Sequence, residues 1–147
     1  MRLSSPAFEP NGSIPTRFAC NGADVSPPLR WSGIPEGTET LALIVDDPDA
    51  PRGVWVHWVA YNLSPDPGGL EAAASGSLPE PAREGRNSWG STGYGGPCPP
   101  SGAHRYVFKL YALDASLDLD KPDKPALLQA MEGHTLGHAE LVGRYAR

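Results

Sequence analysis

A mainly β domain is what this sequence predicts, and three observations carry the prediction. Two long segments, 54–63 and 104–113, are rich in β-branched and aromatic residues, and a third, 41–45, is a continuous apolar run. The 17 glycines and 17 prolines are spread between those segments and gather in no low-complexity tract, the pattern of strands joined by ordered loops. Only one stretch, 124–131, places apolar residues at convincing helical spacing. At 147 residues and 39% hydrophobic, the chain can bury one sizeable core and no second one, so residues 1–147 are expected to form a single domain.

Taken in order, residues 1–35 hold Phe8, Ile14, Phe18, Val25, Leu29 and Trp31 between glycines and prolines, which reads as short strands and turns. The run 41–45 is a buried strand that opens directly onto Asp46-Asp47-Pro48-Asp49-Ala50-Pro51. Pro48 and Pro51 fix their own φ and push Asp47 and Ala50 out of the helical region, so three carboxylates sit in a stiff turn at a strand end. Sheets present binding groups on such turns. In 54–63, alternation puts Trp55, His57, Val59 and Tyr61 on one face. In 104–113 it sets His104, Tyr106, Phe108 and Leu110 against Arg105, Val107, Lys109 and Tyr111. Residues 64–101 are mostly Gly, Pro, Ser and Ala, a connection too long for a plain link, and Trp89 and Tyr94 inside it predict an ordered loop. Leu127, Leu128 and Met131 predict a helix over 124–131, capped by Asp123 and stopped by Gly133. Residues 141–145 read as a last strand.

Charge and cysteine content narrow the partners. A net charge of −5 and a pI of about 5.3, without a basic run, exclude nucleic acid and anionic membrane as electrostatically held partners. No window of about 18 apolar residues exists, and residues 1–6 lack the apolar core of a signal peptide, so no integral membrane association and a cytoplasmic setting are expected. Cys20 and Cys98 form no C-x-x-C pair. Two reduced thiols are the default expectation, with one long-range bridge as the alternative.

Two histidines, a tyrosine and an acidic turn, all at or near strand ends, suit a small oxyanion. Imidazole N–H groups donate hydrogen bonds, and a protonated ring adds charge. Asp47 would repel such an anion face on, so its expected work is to orient a histidine and favour imidazolium. Asp49 is expected to hydrogen-bond the turn's own backbone. Pro97, Pro99 and Pro100, with Gly95 and Gly96, form a wall of small residues that backbone can bring close to a ligand. Competing chemistries fare worse. Two histidines and a carboxylate can bind a metal, but here the acid lies on a proline-locked turn. His134 and His138 are four apart, yet Gly133 and Gly137 weaken any helix that would pair them. Gly90-Ser91-Thr92-Gly93 is not a nucleophile elbow, and Gly93-Tyr94-Gly95 lacks the third glycine and following helix of a dinucleotide site.

Taken together, the Asp47-Pro48-Asp49-Ala50-Pro51 turn, the His57-Trp58 pair and the 93–106 stretch ending Gly102-Ala103-His104-Arg105-Tyr106 resemble the phosphatidylethanolamine-binding protein family. The likeness is to its bacterial and archaeal branch, described as Raf kinase inhibitor-like. Asp24-Val25-Ser26-Pro27-Pro28 with Trp31, and the ending 139–145, extend it over nearly the whole chain. The resemblance implies a sandwich of antiparallel sheets with short peripheral helices, no metal and no cofactor. It implies a pocket of Asp47, Trp55, His57, Gly96, Cys98, Pro99, Pro100, His104 and Tyr106, with an unusual proline geometry in its wall. The implied ligand is a small anion: phosphate, a phospho-headgroup or a carboxylate. A kinase or protease target and a homodimer are implied partners. Animal members carry a further C-terminal helix beside the pocket, whereas this sequence ends at Arg147, which implies a more open site. The expected function is non-enzymatic binding and regulation; the alternative is a hydrolase using His57, His104 and Asp47.

Overall fold

The computed structural model describes residues 1–147. In chain order the strands are β1 (Arg2–Ser4), β2 (Leu29–Ser32), β3 (Thr40–Asp47), β4 (Trp55–Leu63), β5 (Gly69–Leu70), β6 (Arg83–Glu84), β7 (Ala103–Leu113) and β8 (Thr135–Ala146). A 3₁₀ turn covers Thr16–Phe18, and helix α1 covers Lys124–Met131. Three strands pair in the order β1-β2-β5 and five in the order β6-β4-β3-β7-β8, with every pairing antiparallel.

The apolar run 41–45 explains the layering. All eight residues of β3 are buried, which demands cover on both faces of the five-stranded sheet. On one face, Leu41, Leu43, Val45, Trp58, Phe108 and Leu110 pack against Leu3, Leu29, Trp31 and Leu70 of the small sheet. On the other, Ala42, Ile44, Val59 and Tyr61 pack against Leu127 and Met131 of α1. The mainly β, antiparallel architecture is the one expected, although only one α-helix stands at its periphery where several were expected.

Helix α1 has the expected bounds. Asp123 accepts a hydrogen bond from the Ala126 N–H at 3.0 Å, and Gly133 follows at φ +80°, so both ends carry their own stop signals. Leu128 does not share the buried face of Leu127 and Met131; it is exposed. The final strand is longer than 141–145 because β8 pairs with β7 along its full length. That pairing puts His138 on a strand beside the Tyr111 ring, while His134 bonds Asp114 at 2.8 Å. No helix of the chain is long and apolar enough to cross a membrane.

Simple alternation fails in β4. Val45 pairs with Trp58 but Asp46 pairs with Val56, leaving His57 as the extra residue of a bulge. Val59 and Tyr61 consequently fall on the helix side with Val56, not beside His57 as alternation predicts. Both His57 and Trp58 turn toward the β7 residues of the opposite face, where His57 meets Tyr106. Bulges re-aim side chains in this way and are common beside sites. In β7 the predicted alternation holds: His104, Tyr106, Phe108 and Leu110 are buried, and the intervening residues are not.

The expectation of two free thiols is wrong. Cys20 and Cys98 form a disulfide with Cα atoms 5.4 Å apart. Hydrogen bonding brings them together, since the Cys20 N–H donates to the Pro97 carbonyl at 3.0 Å. A separation of 78 residues gave no spacing signal. The cis prolines are Pro67 and Pro81, both outside the 97–100 wall for which the family likeness implied unusual geometry.

Candidate functional site

A cavity of about 630 Å³ opens where β3, β4 and β7 end. Asp47, Trp55, His57, Cys98, Pro99, Pro100 and His104 line it, so seven of the nine expected residues meet at one place. Gly96 and Tyr106 stand behind that surface.

Asp47, the last residue of β3, uses both oxygens. Oδ1 accepts the Asp49 N–H at 2.8 Å, and Oδ2 accepts from His104 Nδ1 at 2.7 Å. The carboxylate thus stiffens its own turn and fixes the His104 ring, leaving His104 Nε2 without a protein partner. Asp49 does not bond the turn backbone as expected. It takes the Arg105 N–H, Nε and Nη2 at 2.7–2.9 Å, because β7 runs alongside and offers a guanidinium fork that matches a carboxylate. The Arg105 bonds hold the Asp49 carboxyl well below the usual carboxylate range.

His57 is 3% exposed. Its Nδ1 donates to the Gly95 carbonyl at 2.7 Å, and its own carbonyl accepts the Gly95 N–H at 2.9 Å. The ring lies edge to face between Trp89 and Tyr106, with centroids 5.0 and 5.2 Å away. Burial pushes the imidazole pKa down from 6.5, with the Gly95 carbonyl and Asp47 opposing.

The two glycines of the wall serve packing rather than ligand approach. A side chain on Gly95 would collide with the Trp89 ring, and one on Gly96 with the Phe18 carbonyl. The Gly96 N–H donates to Asp24 Oδ1 at 2.7 Å, which shows what Asp24 of the N-terminal motif does. Arg147 Nε reaches the Pro99 carbonyl at 3.2 Å. The Tyr106 hydroxyl is sealed beneath the cavity without a hydrogen-bond partner, and burial beside Asp47 pushes its pKa up.

Sequence reasoning missed the rim. Trp89, 47% exposed, and Val54, 54% exposed, line the cavity together with Ser88 and Arg52. Ser88 is placed by its hydroxyl, which accepts the Val56 N–H at 2.7 Å. The one available signal is a lone tryptophan in a Gly- and Ser-rich loop, which by itself indicates order and not a binding role. The cavity holds two imidazoles, one ring backed by a carboxylate and the other by a carbonyl, under an apolar rim with one arginine. That is a set of hydrogen-bonding groups for a small polar ligand carrying an apolar part.

Comparison with known proteins agrees with this architecture. Residues 4–146 match the family model described as phosphatidylethanolamine-binding protein. A UPF0098 protein of Methanothermobacter thermautotrophicus is 53% identical over 100% of this chain and 99% of its own length. Among solved structures, CT736 of Chlamydia trachomatis superposes with a TM-score of 0.93 at 41% identity, covering 99% of this chain and 97% of that one. YbcL of Escherichia coli gives 0.92 at 32% identity, covering 99% and 98%. This chain belongs to the phosphatidylethanolamine-binding protein family.

Proposed function

We propose that this chain is a non-enzymatic binding protein whose cavity takes a small oxyanion of the phosphate, phospho-headgroup or carboxylate kind. The observation that carries this reading is the Asp47–His104 bond at 2.7 Å. It commits Nδ1 and leaves Nε2 as the nitrogen that a cavity ligand can meet. With Asp47 as fixed counter-charge, the ring can hold a second proton at Nε2 and donate it to an anion. Because both Asp47 oxygens are already bonded, the carboxylate repels an incoming anion less than a free one.

The lining chemistry supports binding over turnover. Ser88 is the one hydroxyl residue on the cavity wall, and its oxygen is bonded to the Val56 N–H. Cys98 is oxidised, so neither is an activated nucleophile. The same disulfide supports a setting oxidising enough to keep it closed. Regulation of a kinase or protease, with the occupied cavity as part of the contact surface, is the protein-level role consistent with this chemistry.

Calorimetric titration of inorganic phosphate into wild type and His104→Ala tests the reading. Saturable binding in wild type, weakened at least about ten-fold in the variant, is expected. Release of p-nitrophenol from ester or phosphate substrates that disappears with His104→Ala would replace the binding reading with the hydrolase.

A further inference from the structure

The two cavity histidines are held differently, and the difference concerns protons. His104 Nδ1 lies 2.7 Å from Asp47 Oδ2, and His57 Nδ1 lies 2.7 Å from the Gly95 carbonyl. Carboxylates and carbonyls only accept, so both Nδ1 atoms carry hydrogen. Neither Nε2 has a hydrogen-bond partner in the protein, and neither belongs to the polar atoms sealed from solvent. Both rings line the cavity.

What stands behind each ring decides what its Nε2 offers. A second proton on His104 is offset by a carboxylate in direct contact. His57 has only a neutral carbonyl at Nδ1 and aromatic edges on its sides. The charged or titratable groups around it are Asp47 and Asp46 on β3, His104 and the protonated Tyr106 hydroxyl on β7, and Arg52 at the rim. Asp47 is committed to His104, and Asp46 is bonded to two lysines. Glu84, the acid of the strand beyond, is bonded to Trp58 and Ser75. A neutral His57 therefore presents a lone pair at Nε2, while His104, with the Asp47 carboxylate against its other nitrogen, is the ring placed to offer a donor to a ligand.

We propose that the cavity selects its anion by proton count. It takes an oxyanion that offers a charged oxygen to His104 and an O–H to His57, and His57 is the residue that sets this specificity. The chemical class is the monoprotonated phosphate monoester. Phosphate diesters, sulfate and carboxylates lack the proton, and each would turn an oxygen lone pair toward the His57 lone pair. This inference rests on the anion-binding reading above and narrows it from oxyanions in general, carboxylates included, to those that carry a proton.

Methyl phosphate, dimethyl phosphate and sulfate, titrated calorimetrically at about pH 5.5, separate the two. A monoester still holds its second proton there, since that proton leaves at about pH 6. The expected result is that methyl phosphate binds at least about ten-fold tighter than sulfate or dimethyl phosphate, because an unmatched buried acceptor is costly. His57→Gln, whose amide can turn a donor toward the cavity, should bring the three ligands to within about three-fold. Proton-detected ¹⁵N spectra of the imidazoles provide a readout that needs no variant: His57 should stay in its neutral Nδ1–H form with methyl phosphate bound. Equal affinities for all three ligands, or an imidazolium signal from His57 in the complex, would overturn selection by proton count and leave anion binding standing. Absence of saturable binding by any of them would overturn both.

Discussion

Asp46 and Asp47 are chain neighbours with opposite work. Strand alternation sends their side chains to opposite faces of the five-stranded sheet. Asp46 faces the helix side, 2% exposed, where its Oδ2 accepts from Lys109 Nζ at 3.1 Å and Lys124 Nζ at 2.8 Å. Asp47 faces the cavity and holds His104. One acid is answered by two lysine ammonium groups; the other is answered by an imidazole. The lysine pair ties β7 and α1 to β3, and the imidazole leaves a nitrogen free for a ligand. If the cavity binds an anion as proposed, stability and binding are separated by a single residue step, and substitutions can test how clean the separation is.

The largest effect is expected on the cavity side, from its cross-link. The Cys20–Cys98 bridge closes a separation of 78 residues, and removing it as Cys20→Ser/Cys98→Ser should cost about 4–5 kcal/mol, through the entropy of the unfolded chain. Because Cys98, Pro99 and Pro100 line the cavity, phosphate affinity should also fall several-fold. Thermal denaturation and calorimetry on the double variant measure both. Unchanged affinity would mean that the Asp24–Gly96 and Arg147–Pro99 bonds hold the wall by themselves.

Next in size is Asp46→Ala. It strands two ammonium groups whose side chains are 28% and 23% exposed, so they can partly reach water, and the loss should be about 2 kcal/mol. That corresponds to a fall of about 6 °C in melting temperature. Phosphate affinity should not change. A parallel loss of affinity would show that the two faces of β3 are coupled.

Asp47→Asn should do the reverse, with a smaller effect on melting and about a ten-fold loss of phosphate affinity near neutrality. An amide can donate to His104 Nδ1, which moves the single ring hydrogen to Nε2. The variant keeps a neutral donor and loses the charge. Wild-type affinity should rise as pH falls and the variant's should stay flat, once the ligand's own ionisation is corrected for. Tighter binding by the variant at every pH would mean that Asp47 acts chiefly by repulsion.

Acid titration addresses His57. The folded ring resists protonation relative to its ordinary 6.5. As pH falls below about 6.5, the unfolded chain takes up a proton that the folded chain refuses, so stability present above that pH declines down to the lowered folded value. His57→Phe should flatten this part of the curve. Asp49 acts in a separate, more acidic window, because its folded value lies below the ordinary 3.8 and its contribution is lost only as pH falls through it. A pH slope near 6 that survives His57→Phe would assign it to another group.

Much of this was legible in residues. The all-apolar 41–45 run required cover on both sides, and the Pro-locked turn marked where the sheet would present its acids. Asp123 and Gly133 bounded the helix from their own chemistry. What stayed hidden depended on distant pairing. No local pattern announces that β3 skips His57 in its register, so the face assignment of Val59 and Tyr61 failed. The Cys20–Cys98 contact and the Trp89 cover over Gly95 each join segments that only the folded sheet brings together. Asp49 went to Arg105 for the same reason: the partner lies across strands, and the turn alone does not reveal it.

The smallest effect should come from Tyr106→Phe, and its sign bears on how Asp47 is held. The ring fits edge on against His57 and is 1% exposed, so removing one oxygen disturbs little packing. Its hydroxyl is buried without a partner, and an unmet buried donor is a liability, so the variant should be as stable as wild type or more stable by up to about 1 kcal/mol. The opposing consideration is that the hydroxyl lies close enough to feel the Asp47 charge, and a small rotation could bring its proton onto the carboxylate. A bond made that way would be worth about 1.5–3 kcal/mol, and Asp47 would then be held by three donors rather than two. Melting temperature and phosphate affinity measured together separate the cases. Retained stability with retained affinity leaves His104 and the Asp49 N–H as the whole support of Asp47, while a joint loss of both adds Tyr106 to the groups that position it.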